Sequence, residues 1–133
     1  MLEVRDLEVR YGPAQALWGV SLDVGAGELV SVVGPNGAGK TTLINTLAGL
    51  LRSSSGSLRF AGEEITRTPA HRFCQKGIAI VPEGRRLFTG MTVLENLELG
   101  SYLPEAKARR RQTLDEVLAL FPALREKLPV AAG

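Results

Sequence analysis

Nine consecutive residues, Gly34, Pro35, Asn36, Gly37, Ala38, Gly39, Lys40, Thr41 and Thr42, concentrate the chemistry of this chain. They fit the pattern G-x-x-x-x-G-K-[ST], and each residue type has a physical task in it. The glycines leave the backbone free to turn its N–H groups inward, where they converge on phosphate oxygens. Lys40 adds a mobile positive charge suited to β- and γ-phosphates, and Thr41 offers a hydroxyl to Mg²⁺. The amino end of a following helix adds its partial positive charge to the same anion. The competing reading is a glycine-rich surface turn.

The flanks favour the phosphate loop, which has to sit between a strand and a helix. Residues 28–33, Glu-Leu-Val-Ser-Val-Val, form a short apolar run that predicts a buried parallel strand. On the other side Leu43, Ile44, Leu47, Leu50 and Leu51 recur at helical spacing, with Gly49 near the end of the pattern. Strand, glycine loop and helix follow in the required order.

The surrounding elements read as α/β. Leu2 and Val4 alternate in one phase and Leu7, Val9 and Tyr11 in the other, so Arg5-Asp6 marks a bulge or turn. Tyr11-Gly12-Pro13 ends that unit, and residues 16–24 read as a second strand closed by Gly25-Ala26-Gly27. A polar loop at 52–56 leads into an alternating strand at 57–60 and a turn at Gly62. Thr68-Pro69 predicts a helix start, a hydroxyl cap followed by proline, with closure at Gly77. Residues 78–81, Ile-Ala-Ile-Val, predict another buried strand stopped by Pro82. Thr92-x-x-Glu95 fits a capping box opening a helix to about Leu99, with Gly100 beyond it. A further helix is expected over 104–121, with Leu114, Val117, Leu118 and Phe121 on one face and Arg109-Arg110-Arg111 as its solvated face.

Composition narrows the class. With 133 residues, 44% hydrophobic and 23% charged, the chain is sized for one globular domain. No apolar run reaches the 18 or so residues that cross a bilayer, and the alternating start at Met1 lacks the apolar core of a secretory signal. A net charge of +2 makes no demand for a nucleic-acid partner. The single cysteine, Cys74, rules out an internal disulfide, suits a reducing compartment and reads as a packed thiol. The expected compartment is the cytosol.

From Leu2 to its last residues the sequence resembles the ATP-binding subunits of ABC transporters. The loop from Gly34 to Thr42 has the Gly-Pro-Asn-Gly-Ala-Gly-Lys-Thr-Thr form of that family's Walker A motif. The resemblance implies that Gly34, Pro35, Asn36, Gly37, Ala38, Gly39, Lys40, Thr41 and Thr42 bind ATP, and that Tyr11 stacks on the adenine. Gly56 and Gly62, flanking Leu58 and Phe60, match the family's strand after the first helix. It also implies a P-loop NTPase core of the ABC ATPase type. Residues 1–27 would form its β-rich antiparallel part, 28–90 the stretch from P-loop to Q-loop, and 91–133 the start of the helical subdomain.

The stretch Val81-Pro82-Glu83-Gly84-Arg85-Arg86-Leu87-Phe88 discriminates further. Most of the family carries glutamine where this chain has Glu83. That departure and the Gly-Arg-Arg-Leu-Phe after it resemble subunits that serve importers of branched-chain amino acids or related amides and urea. A carboxylate oxygen can ligate Mg²⁺ directly or through water, as a carboxamide oxygen does, so Thr41 and Glu83 are the implied metal ligands. Leu87, Phe88 and Met91 are either part of a groove that contacts the membrane permease or simply packed in the domain. The implied partners are a second ATP-binding subunit, arranged head to tail, and the permease subunits, with no nucleic acid. The implied location is cytoplasmic, peripheral on the inner face of the cell membrane.

Family members continue with a Leu-Ser-Gly-Gly-Gln-like signature, an apolar strand ending in Asp, a catalytic Glu and a switch His; none of these is in the sequence. Residues 78–83 are a poor substitute for the Asp-ending strand, because Pro82 intervenes and no second acid follows. His71 precedes the Q-loop position and reads as a surface histidine. The expectation is a truncated product, or a piece of a longer frame, that holds ATP and Mg²⁺ without turning ATP over, its sheet left with open edges and apolar faces. Two further readings stay open: a non-catalytic nucleotide-binding fragment, and a soluble ABC ATPase not tied to transport.

Overall fold

A computed structural model describes residues 1–84 and 86–133; Arg85, within the Gly-Arg-Arg-Leu-Phe stretch, lies outside the described residues. The chain divides into two compact units, Met1–Ile80 and Val81–Gly133.

The first unit is built on an antiparallel sheet. Strand β1 (Leu2–Tyr11) pairs with β2 (Ala14–Val24) on one side and β3 (Ser55–Phe60) on the other, and β4 (Glu63–Glu64) extends β3, giving the order β2-β1-β3-β4. The change of phase in β1 is a bulge. The ladder to β2 slips between Val4 and Leu7, and Asp6 takes φ 46 while its N–H donates to Ser21 Oγ at 2.9 Å. The extra residue keeps Val4 on the core face before the bulge and Leu7 and Val9 on it afterwards. Gly56 lies opposite at φ 83, where a Cβ would collide with the carbonyls of Arg5 and Asp6, so the bulge needs a glycine in β3.

Helix α1 (Lys40–Leu47) sends Leu43 into the cluster of Val4, Leu7, Val9, Leu17, Leu58, Ile65 and Phe73. Burying one such side chain is worth about 1.5–3 kcal/mol, which ties the helix to the sheet.

In the second unit α2 (Val93–Leu99) opens on the complete capping box. Thr92 Oγ1 accepts from the Glu95 N–H at 3.2 Å, and Glu95 Oε2 accepts from the Thr92 N–H at 2.7 Å. Helices α3 (Pro104–Ala108) and α4 (Arg110–Leu120) follow, with Leu118 buried.

Several expectations are corrected. Residues 28–33 and 78–81 form no strand: Leu29 is 95% exposed and Val81 96%. A strand exists through its hydrogen-bonded neighbour, and among the described residues neither segment has one. The apolar run is necessary for a central strand but does not create it. The helix expected after Thr68 is two short 3₁₀ turns, Ala70–Arg72 and Cys74–Lys76; Pro69 is the cap residue and no side-chain cap bond forms. The closure at Gly77 does occur, in the left-handed conformation. The single helix over 104–121 breaks at Arg109 (φ −102, ψ 4) into α3 and α4.

The basic run next to the break also departs from expectation. Arg110 is not part of a solvated face: its Nε donates to Ser101 Oγ at 2.7 Å and its guanidinium reaches the Glu98 carboxylate at 3.5 Å. These contacts tie the start of α4 to the end of α2.

Candidate functional site

The loop before α1 is shaped by glycines. Gly37 (φ 84) and Gly39 (φ 86) occupy the left-handed region that side chains disfavour. At Gly39 space matters as well: a Cβ would lie 2.7 Å from Leu17 Cδ2 and 2.9 Å from the Ala16 carbonyl oxygen. The end of the loop therefore rests directly on β2, and buried Leu17 supports it from below. Inside the loop the Ala38 N–H donates to the Pro35 carbonyl at 3.2 Å.

Helix α1 starts without the usual ornaments of a helix terminus. Gly39 provides no side-chain cap, and the first turn carries no acidic residue. The N–H groups of that turn have no intrahelical acceptor, and the positive end of the helix dipole is not neutralised by its own side chains. Residues 34–38 and Thr41 are exposed at this end. Lys40 Nζ folds back over the loop and donates to the carbonyls of Gly34 and Pro35, both at 2.8 Å. An anion seated here meets a cation, open N–H groups and a dipole of matching sign. The donor set fits a phosphate chain.

Tyr11 stands at the last position of β1, half exposed, and its hydroxyl lies 3.3 Å from Thr42 Oγ1. Thr42 itself is buried in the first turn of α1, and its carbonyl accepts from Thr46 Oγ1 at 2.8 Å. A strand end and the lysine-bearing helix are thus joined side chain to side chain, which places an exposed aromatic ring at the site. Thr41, expected from the sequence as a Mg²⁺ ligand, is exposed in the first turn of α1. Glu83 belongs to the second unit and is exposed. Among the described residues no group of three or more His, Cys, Asp or Glu is placed to hold a metal ion.

In the second unit Leu87 and Phe88 are exposed and Met91 is half buried. The segment carrying them is held by Asn96, which sequence reasoning passed over. Asn96 Oδ1 accepts from the Phe88 N–H at 2.9 Å, and its Nδ2 donates to the carbonyls of Phe88 at 3.0 Å and Thr92 at 2.9 Å. A signal was available: asparagine is unfavourable inside a helix unless its side chain bonds nearby backbone. Leu17 was passed over too, because an apolar residue in a strand looks like any other core residue. His71 is exposed and Cys74 half buried, both on the short 3₁₀ turns.

Residues 17–130 match the family described as ABC transporter. The chain belongs to the ABC transporter family. It is 44% identical over its full 133 residues to the high-affinity branched-chain amino acid transport ATP-binding protein BraG of Pseudomonas aeruginosa, covering 57% of that protein. It is 35% identical, again over its full length, to the probable branched-chain amino acid transport ATP-binding protein LivF of Archaeoglobus fulgidus, covering 56% of it. The fold matches a solved ATP-binding cassette of an ABC transporter with a TM-score of 0.83 at 28% identity, over 100% of this chain and 58% of that one. The chain thus spans a little over half the length of these relatives. The ABC transporter match takes in the loop from Gly34 to Thr42, α1 and the capping box of α2. Among the described residues no helix is long and apolar enough to cross a membrane.

Proposed function

We propose that this chain is the nucleotide-binding part of an ATP-binding subunit that energises ABC-type import of branched-chain amino acids or related small solutes. The observation that carries the reading is the glycine loop seated on β2 ahead of an uncapped helix start, with Lys40 folded over it. In this reading the loop N–H groups and Lys40 hold the β- and γ-phosphates. Thr41 takes a Mg²⁺ oxygen position, Thr42 lies against the phosphates, and the Tyr11 ring stacks on the base. When bound, Mg²⁺ neutralises phosphate charge; Glu83 is its proposed second ligand. The branched-chain substrate class rests on the likeness to BraG and LivF, and on Glu83 with the residues that follow it.

The whole assembly implied is two such ATP-binding subunits on membrane permease subunits at the inner face of the cell membrane. Leu87, Phe88 and Met91 are the proposed permease contact. Two of the three are exposed, and the turn that presents Phe88 is fixed by Asn96.

A second reading applies to a polypeptide of these 133 residues by itself: it binds nucleotide and does not hydrolyse it. The sequence contains no apolar strand ending in Asp-Glu and no signature motif, so the groups that would orient an attacking water are not supplied by it. Loss of one preorganised stabilising group costs about 10²–10³ in rate.

Equilibrium binding of ATP, with and without Mg²⁺, tests the site. Affinity is expected to depend on Mg²⁺ and to fall at least about ten-fold in Lys40→Ala, the loss of one charge-assisted contact to phosphate. Equal affinity in both proteins refutes the site.

A further inference from the structure

The hydroxyl of Tyr11 has a task separate from its ring. Its oxygen lies 3.3 Å from Thr42 Oγ1, and either group can be the donor. Thr42 is only 8% exposed and sits in the first turn of α1, beside the open N–H groups that face the loop. A threonine hydroxyl has one proton and can accept from others while donating it. If Thr42 gives its proton to Tyr11, it presents lone pairs, which repel an anion. If Tyr11 gives its proton to Thr42, the threonine proton is free to point at the phosphate.

We propose that Tyr11 is a positioning residue for phosphate: its O–H donates to Thr42 Oγ1 and so turns the Thr42 O–H into a donor toward the bound phosphate chain. The proposal rests on the nucleotide-site reading above and goes beyond it, because it gives Tyr11 a part in binding a ligand that has no base. Ring and hydroxyl then act on opposite ends of the nucleotide. The ring recognises the base, and the hydroxyl acts through Thr42 on the phosphates. Chained hydroxyls also polarise one another, so the Tyr11 bond strengthens the donor that Thr42 presents.

Inorganic tripolyphosphate isolates the effect, since it has no base to stack. Binding of tripolyphosphate and of ATP is measured on the full 133-residue chain and on Tyr11→Phe, Thr42→Val, the double variant and Lys40→Ala. Tyr11 is half exposed and phenylalanine keeps the ring, so folding is preserved and is verified by circular dichroism. Tyr11→Phe is expected to bind tripolyphosphate about five-fold more weakly, the size of one net hydrogen bond. In the Thr42→Val background the same change is expected to have no further effect. Unchanged tripolyphosphate binding in Tyr11→Phe overturns the proposal, as does a loss that simply adds to that of Thr42→Val. If Lys40→Ala also leaves tripolyphosphate binding intact, the nucleotide site falls and the proposal with it.

Discussion

Lys40 Nζ lies 2.8 Å from the carbonyl oxygens of both Gly34 and Pro35, so the loop's cation is held by the loop's own backbone. Both acceptors are neutral and exposed to solvent, which makes the arrangement easy to exchange for a phosphate oxygen that carries charge. It also fixes what the lysine does without ligand. These bonds add little to folding, because the same amine is well solvated in water. Lys40→Ala is therefore expected to shift unfolding stability by less than about 0.5 kcal/mol while lowering nucleotide affinity. Urea unfolding without nucleotide measures the first quantity. A large drop in midpoint would make Lys40 a structural residue.

Gly37 and Gly39 share a left-handed backbone but not an environment, and they separate two costs. A Cβ at Gly37 meets nothing within 4 Å, whereas one at Gly39 runs into Leu17 and the Ala16 carbonyl. Gly37→Ala should show the conformational cost alone, about 1–2 kcal/mol. Gly39→Ala should cost more and push the loop off β2, with ATP affinity falling further than in Gly37→Ala. Unfolding and binding measured on the two variants side by side check the order. Equal losses would mean that contact with β2 does not shape the loop.

The parts of this fold that were legible in the sequence are those whose cause is local. The Thr92–Glu95 box is two side chains reading two nearby N–H groups, and it forms as expected. The phase change at Arg5-Asp6 also carries its own signal, since only an extra residue keeps both halves of β1 facing the core. The two strands that did not form share one physical origin. Whether residues 28–33 become a strand depends on a neighbour to accept their hydrogen bonds, and periodicity contains no information about that neighbour. Thr68-Pro69 leads only into 3₁₀ turns, and the 104–121 segment breaks at Arg109. Arg110, just after that break, bonds to Ser101 and Glu98, contacts that helical periodicity does not encode. At the candidate site, the loop and Lys40 could be read directly. The Tyr11–Thr42 pairing could not, because it joins residues 31 positions apart.

Catalysis by the isolated polypeptide offers a separate check. Phosphoryl transfer depends on positioning and charge stabilisation by several groups that act together. These 133 residues supply the phosphate loop and Lys40 but no Asp-Glu pair after an apolar strand. An assay for phosphate release should show no turnover above the background of a Lys40→Ala control. Clear turnover that disappears in Lys40→Ala would show that the groups present suffice.

Asn96 makes the second unit testable without any partner. Its carboxamide both accepts from and donates to the Phe88 backbone, at 2.9 and 3.0 Å. Asn96→Ala removes both bonds, so the Phe88 amide should exchange with solvent at least about five-fold faster, in line with one lost net hydrogen bond. Asn96→Asp keeps an acceptor for the Phe88 N–H and loses only the donor, so that amide should stay largely protected. Hydrogen exchange resolved at Phe88 distinguishes the two. Equal exchange in Asn96→Ala and the unaltered chain would mean that the turn is fixed by something other than this side chain.

The capping box gives the same unit a pH dependence with a definite sign. The Glu95 carboxyl is held below its ordinary range, first by the bond from the Thr92 backbone N–H and then by the bond from the Thr92 hydroxyl. Both are bonds to the ionised form. A group whose folded value is depressed contributes stability that is complete above its unfolded value, about 4.3 for glutamate. That contribution is lost as pH falls through the lowered folded value. The start of α2 should therefore loosen at the acid end of this window and be insensitive to pH near neutrality. Glu95→Gln retains an amide oxygen as acceptor but not the charge, so its α2 should be weaker at neutral pH and lose this acid-dependent step. Thr92→Ala should lower stability by about 1 kcal/mol, the usual worth of such a cap. The Thr92 amide resonance followed through an acid titration reports the step directly. The same acid step in Glu95→Gln would assign it to another carboxyl group.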